Sequence, residues 1–117
     1  MRPDRLYPSD IVEAADLIAA FVADQTEESF QRDPRTWSAV LYQLVIIGEA
    51  AGEISDHFRN RYPYVPWRKA IGMRNFAVHG YFAVQLSIVW ETATQDVPPL
   101  QEQIAGILAT EYPEEQP

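Results

Sequence analysis

The segment that opens at Asp33-Pro34 constrains this chain more than any other. A carboxylate able to accept free amide hydrogens, followed by proline at the first helical position, is a strong helix start. Beyond it Trp37, Val40, Leu41, Leu44, Val45, Ile47, Ala51 and Ile54 recur at three- and four-residue spacing, which predicts a helix to about Ser55. A helix so long and so apolar is stable only with other helices packed around it.

The rest of the chain supplies them. Ser9 or Asp10 is placed to cap a first helix carrying Ile11, Ala14, Ala15, Leu17, Ile18, Phe21 and Val22. Residues 24–33 are polar and read as a loop with a helical turn around Phe30. Asp56 to Pro66 reads as a connector, because Pro63 and Pro66 bar continuous helix. A third long helix is expected from Pro66-Trp67 to a kink or end near Gly80. A fourth covers Leu86 to Asp96, and Pro98-Pro99 either kinks it or starts a fifth ending near Thr110. No strand pattern or repeat competes. The expected fold is all-α: an antiparallel four- to five-helix bundle over residues 1–110, with residues 111–117 as a mobile tail.

A chain of 117 residues suits a single core. It has no cysteine, so disulfides and thiolate metal sites are excluded. No apolar run approaches the roughly 20 residues that cross a bilayer, and the first residues lack a signal peptide's apolar core. A cytoplasmic protein with no membrane partner is the expectation. Net charge is −8, which argues against a nucleic-acid partner until its distribution is seen. From His57 to Trp90 there is no acidic residue, while Arg59, Arg61, Arg68, Lys69 and Arg74 lie within that stretch; the remainder carries four basic and seventeen acidic residues. A local basic zone, with Arg68 and Lys69 as candidate RNA contacts, can still meet a phosphate backbone.

Within that zone Arg74-Asn-Phe-Ala-Val-His79-Gly-Tyr81 places a guanidinium, an imidazole and a phenol in an otherwise apolar helical run. Arginine grips phosphate through a planar fork of donors, and histidine moves protons near neutrality. Together they suffice for RNA cleavage without a metal: His79 moves a 2′-OH proton and Arg74 holds the phosphate as charge builds. On an ideal helix the two lie about 140° apart with a rise of roughly 7.5 Å, so they do not share a face. Asn75, four before His79, is placed to orient the imidazole. Arg74 falls in register with Trp67, Ile71, Val78 and Tyr81, an apolar stripe where a guanidinium needs an anion, a partner or solvent. A two-fold homodimer would bring two copies of the motif to one cleft. The competing reading keeps Arg and His as ordinary hydrogen-bonded bundle residues and Tyr81 as a core aromatic. Two histidines 22 apart and no cysteine make a metal site improbable. Glu49 and Glu53 read as a solvated face rather than a carboxylate pair.

The segment Val65-Pro-Trp-Arg-Lys-Ala-Ile-Gly-Met-Arg-Asn-Phe-Ala-Val-His-Gly-Tyr-Phe82 closely resembles the signature of HepT-like proteins of the HEPN superfamily. Ile46-Ile-Gly-Glu-Ala-Ala51 and Ile88-Val-Trp-Glu-Thr92 are similar to that family too, so the resemblance covers about residues 9 to 108. It implies a helical bundle that dimerises around the motif, and a metal-independent ribonuclease toxin acting on RNA. Arg74 and His79 would be the catalytic pair and Asn75 their polar neighbour. Tyr81 would be the tyrosine to which a cognate minimal nucleotidyltransferase antitoxin attaches AMP; the chain itself needs no cofactor, ATP serving only the partner enzyme. One departure is Gln85, where the family often has Asp. A non-catalytic HEPN module that binds a nucleotide or a partner remains the alternative.

Overall fold

In a computed structural model the structure describes residues 2–79 and 85–115. Every regular element among them is helical. Helix α1 spans Leu6–Val22, α2 Glu27–Gln31, α3 Pro34–Glu53 and α4 Asp56–Arg61. After α5, Trp67–Gly72, a 3-10 turn over Met73–Asn75 leads into α6, Phe76–His79. Helix α7, Leu86–Glu91, runs through a π-helical turn, Thr92–Asp96, into α8, Val97–Glu111. A last 3-10 turn covers Pro113–Glu115.

Helix α3 is the central element, and it starts as its sequence requires. Asp33 accepts from the Thr36 amide (3.2 Å) and hydroxyl (2.7 Å), with Pro34 at the first helical position. Helix α1 packs antiparallel to it: Tyr7 and Pro8 lie by Ile54, and Ala14 and Leu17 by Gln43 and Ile46. The α8 helix lies antiparallel to α1 on another side, Leu108 meeting Ser9 and Val12. Ile11 and Ile18, Val40, Leu44 and Ile47, and Leu100, Ile104 and Ile107 fill the space between the three helices and are fully buried. Phe30 on α2, also buried, packs on the Trp90 ring at 5.2 Å and closes the end of the core. The all-α antiparallel bundle expected from periodicity is the observed fold.

The structure departs from three sequence expectations, each for a local reason. Helix α1 begins at Leu6, ahead of Ser9 and Asp10, because Pro8 sits in the first turn, where its missing amide hydrogen costs nothing. The connector holds a short helix, α4, capped by Ser55 on the Phe58 amide (3.1 Å), and only Tyr62–Pro66 turns. The motif helix is not one uniform α-helix, since the 3-10 turn tightens it at Arg74. Pro98-Pro99 lie in the first turn of a new helix, α8, as one of the two expected readings had it, and the π turn just before them joins it to α7. There Thr92 and Thr94 hydroxyls donate to the carbonyls of Ile88 (2.8 Å) and Trp90 (2.7 Å). Glu111, the first residue of the expected tail, closes α8. No described helix is long and apolar enough to cross a membrane.

Candidate functional site

Arg74 owes its position to two glycines. Gly48 and Gly52 stand one turn apart on α3, facing the 3-10 turn. A Cβ on Gly48 would lie 2.1 Å from the Arg74 nitrogen and 2.7 Å from its Cα and Cβ. A Cβ on Gly52 would lie 3.0 Å from the Arg74 Nη1. The arginine backbone therefore rests on Gly48, and its side chain runs along α3 over Gly52 towards that helix's C-terminal end. Helix α3 has no basic residue in its own last turn, so Arg74 brings positive charge to the negative end of the helix dipole. The residue is exposed, and its guanidinium has no hydrogen bond or ion pair among the described residues. On its α3 side Arg74 meets a bare helix surface and solvent, while the side chains of Val78 and Tyr81, two members of the expected apolar stripe, lie outside the described residues. That resolves the cost of a cation there while leaving its donors open.

The motif runs antiparallel to α3. Arg74 sits at Gly48, whereas Phe76 and Ala77 lie against Leu41, Tyr42 and Val45. This direction carries the His79 backbone further towards the start of α3, while the Arg74 side chain points the other way. Phe76 and Ala77, the residues between Arg and His, form one wall of an open groove whose other wall is Trp37, Leu41, Tyr42 and Val45. Tyr42 is 66% exposed there.

The turn before α5 fixes where the motif begins. Tyr62 O accepts from the Val65 amide (3.2 Å) and from the Trp67 indole (2.9 Å), and Val65 is buried. The Tyr62 hydroxyl donates to Glu111, which also pairs with Arg61 at 3.1 Å, so α8 is tied to the connector. That hydrogen bond to the Glu111 carboxylate holds the Tyr62 phenol above its ordinary pKa range. Sequence reading placed neither Glu111 nor the glycines near the site. The four-residue spacing of Gly48 and Gly52 was the available signal, and it was masked by the apolar pattern around it.

The model of the family described as Ribonuclease HepT-like matches residues 11–107. The chain belongs to the HepT-like ribonuclease family. A Thermococcus cleftensis protein named "Probable ribonuclease HepT" is 38% identical over 100 residues, covering 86% of this chain and 91% of that protein. A "Putative RNase" of Caldanaerobacter subterraneus is 34% identical, covering 95% and 99%. A Methanocaldococcus jannaschii protein, "Gamma-glutamylcyclotransferase and putative RNase", is 35% identical over 92% of this chain, and the chain spans only 49% of it. No solved structure matches the chain.

For a HepT-like chain, the residues expected to carry chemistry are placed unevenly. Asn75 is exposed at the end of the 3-10 turn. His79 is the last residue of α6, but its side chain, like the whole of Tyr81 and Gly80, lies outside the described residues, as does the expected Asn75–His79 contact. Arg68 is exposed and has no ion pair among the described residues, whereas Lys69 Nζ lies 3.3 Å from Asp96. Of the two candidate RNA contacts, Arg68 thus has the freer charge. Glu49 and Glu53 are exposed and unpaired among the described residues, as a solvated face would be. Gln85 caps α7 with its backbone carbonyl, which accepts from Ile88 (2.9 Å) and Val89 (3.2 Å), and its side chain makes no capping bond. Among the described residues no three His, Asp or Glu side chains gather to hold a metal.

Proposed function

We propose that this HepT-like protein is a metal-independent endoribonuclease, the toxin of a toxin–antitoxin pair, working as a symmetric homodimer. The observation that carries the reading is Arg74: a guanidinium laid on a glycine track, exposed, and without a partner among the described residues, five residues before His79. Such a fork of donors suits a phosphate. In the proposed reaction the 2′-oxygen of one nucleotide attacks its own 3′-phosphorus while the bond to the 5′-oxygen of the next nucleotide breaks. His79 accepts the 2′-OH proton or returns one to the 5′-oxygen, and Arg74 stabilises the charge of the phosphorane. The products are a 2′,3′-cyclic phosphate and a free 5′-OH.

Arg74's side chain leads away from His79 along α3, which favours completion of the site by a second copy. The groove between α3 and α6, with Tyr42 and Phe76 on its walls, borders the motif and is the surface proposed to seat that copy. Control falls to a nucleotidyltransferase antitoxin: the Tyr81 hydroxyl attacks the α-phosphorus of ATP, pyrophosphate leaves, and the bound AMP blocks Arg74 with its own phosphate. Incubating the protein with RNA and EDTA, and resolving the termini by mass spectrometry, tests the chemistry. Cyclic phosphate ends that vanish in Arg74→Ala and His79→Ala support it. If the wild type binds a nucleotide or its partner and leaves RNA intact, the non-catalytic module is the correct reading. Incubation of wild type and Tyr81→Phe with ATP and the nucleotidyltransferase tests the control step. An equal AMP-sized mass gain on both proteins rules out Tyr81.

A further inference from the structure

We infer that Tyr64 is the stacking platform of a nucleobase subsite for single-stranded RNA, set back from the phosphate that Arg74 meets. The inference rests on the ribonuclease reading and extends it to a residue outside the Arg–His motif. Tyr64 is 61% exposed, yet the backbone that bears it is pinned. Pro63 and Pro66 fix the chain on either side. Val65 is buried, and its amide and the Trp67 indole both donate to Tyr62 O. The Tyr64 ring makes a T-shaped contact with Tyr62 at 6.3 Å and 89°. Tyr62 is in turn braced by Phe58 at 5.5 Å and by its hydroxyl bond to Glu111. A large ring held by one edge contact and otherwise left in water gains little from packing, but it offers a π face at little cost in conformational entropy.

The charges around it suit a phosphate strand. Glu111 is occupied by Arg61 and Tyr62 and its side chain is only 19% exposed. Asp56 is paired with Arg59. Arg68, two residues into the helix that follows, is exposed with no pairing among the described residues. An aromatic face with a free guanidinium nearby is the combination that holds a base and its backbone in single-strand binding. Tyr64 stands between the exposed Pro63 and Pro66, and beyond them lie the exposed Arg61 and Arg68. From Trp67 to Arg74 the chain rises about 12 Å along α5 and the 3-10 turn. The subsite therefore lies away from the cleaved bond and contributes to binding rather than to chemistry.

The test measures fluorescence anisotropy of a labelled single-stranded RNA of about twelve nucleotides, within the usual site sizes. Binding is read in a His79→Ala background, comparing Tyr64, Tyr64→Ala and Tyr64→Phe. Tyr64→Ala is expected to weaken binding roughly tenfold, and Tyr64→Phe to stay within about twofold, because stacking needs the ring and not the hydroxyl. On an abasic strand of equal length the three should bind alike. Equal binding of native RNA by Tyr64→Ala overturns the subsite, as does a Phe variant as weak as Ala. So does loss of self-association in Tyr64→Ala with RNA affinity unchanged, which would make Tyr64 a protein contact. The parent reading is judged separately, by RNA cleavage in wild type against Arg74→Ala. If neither cleaves while Tyr64→Ala still weakens binding, the ribonuclease reading fails and the subsite stands.

Discussion

The Arg74 backbone lies against Gly48 so closely that a single added carbon would sit 2.1 Å from its nitrogen. No side-chain motion relieves that contact, because the obstacle is main chain. Gly48→Ala must push the 3-10 turn off α3, at a cost of about 1–3 kcal/mol or more. Gly106 on α8 has open space where its Cβ would be, so Gly106→Ala should instead stabilise by roughly 0.5–1 kcal/mol. Urea denaturation midpoints of the two variants should move in opposite directions.

Gln85 starts α7 without a side-chain cap. Asp or Asn in its place accepts from the first-turn amides, and Asp also favours the positive end of the helix. Gln85→Asp is expected to raise stability by about 0.5–1 kcal/mol, read as a higher melting temperature. An unchanged or lower value would show that the carbonyl bonds to Ile88 and Val89 already saturate this helix start.

Asp33 caps α3, and its hydrogen bonds to Thr36 hold its pKa below the ordinary 3.8. A carboxylate with a depressed folded pKa stabilises the fold above its unfolded pKa and loses that contribution as pH falls through the folded value. Wild type should therefore lose more thermal stability than Asp33→Asn on acidification below about pH 4. Melting curves at neutral and acidic pH, taken on both proteins, check the sign.

Substituting Arg74 or His79 by Ala should lower RNA cleavage by roughly 10² to 10⁴-fold. Arg74 is exposed, so its replacement should leave the helical circular dichroism unchanged. Arg74→Lys keeps the charge but loses the fork, and is expected to recover only part of the rate. Full recovery by lysine would mean that charge alone, rather than bidentate phosphate contact, is what the site requires.

The bundle was legible because Leu44, Ile47, Ile11 and Ile18 repeat at helical spacing and all fall in the core. Asp33-Pro34 marked its helix start because capping is local chemistry. The 3-10 turn at Arg74 and the π turn at Thr92 were not legible: both answer contacts or missing bonds contributed from elsewhere, Gly48 in one case and Pro98-Pro99 in the other. The Arg–His motif was legible as a guanidinium and an imidazole in an otherwise apolar helical run, and the likeness to HepT-like proteins then gave it roles. The direction of the arginine along α3 depends on two glycines in another helix, which periodicity reads only as small residues.

The π turn makes the last two helical segments separately adjustable. It inserts surplus chain between α7, which turns Val89 into the core and lays Trp90 on Phe30, and α8, which turns Leu100 and Ile104 against α1. Each residue of an α-helix turns about 100°, so deleting one within Thr92–Asp96 would rotate one of these faces out of the core. Length is thus fixed in this turn: chain count there sets the phase between the ends of the molecule.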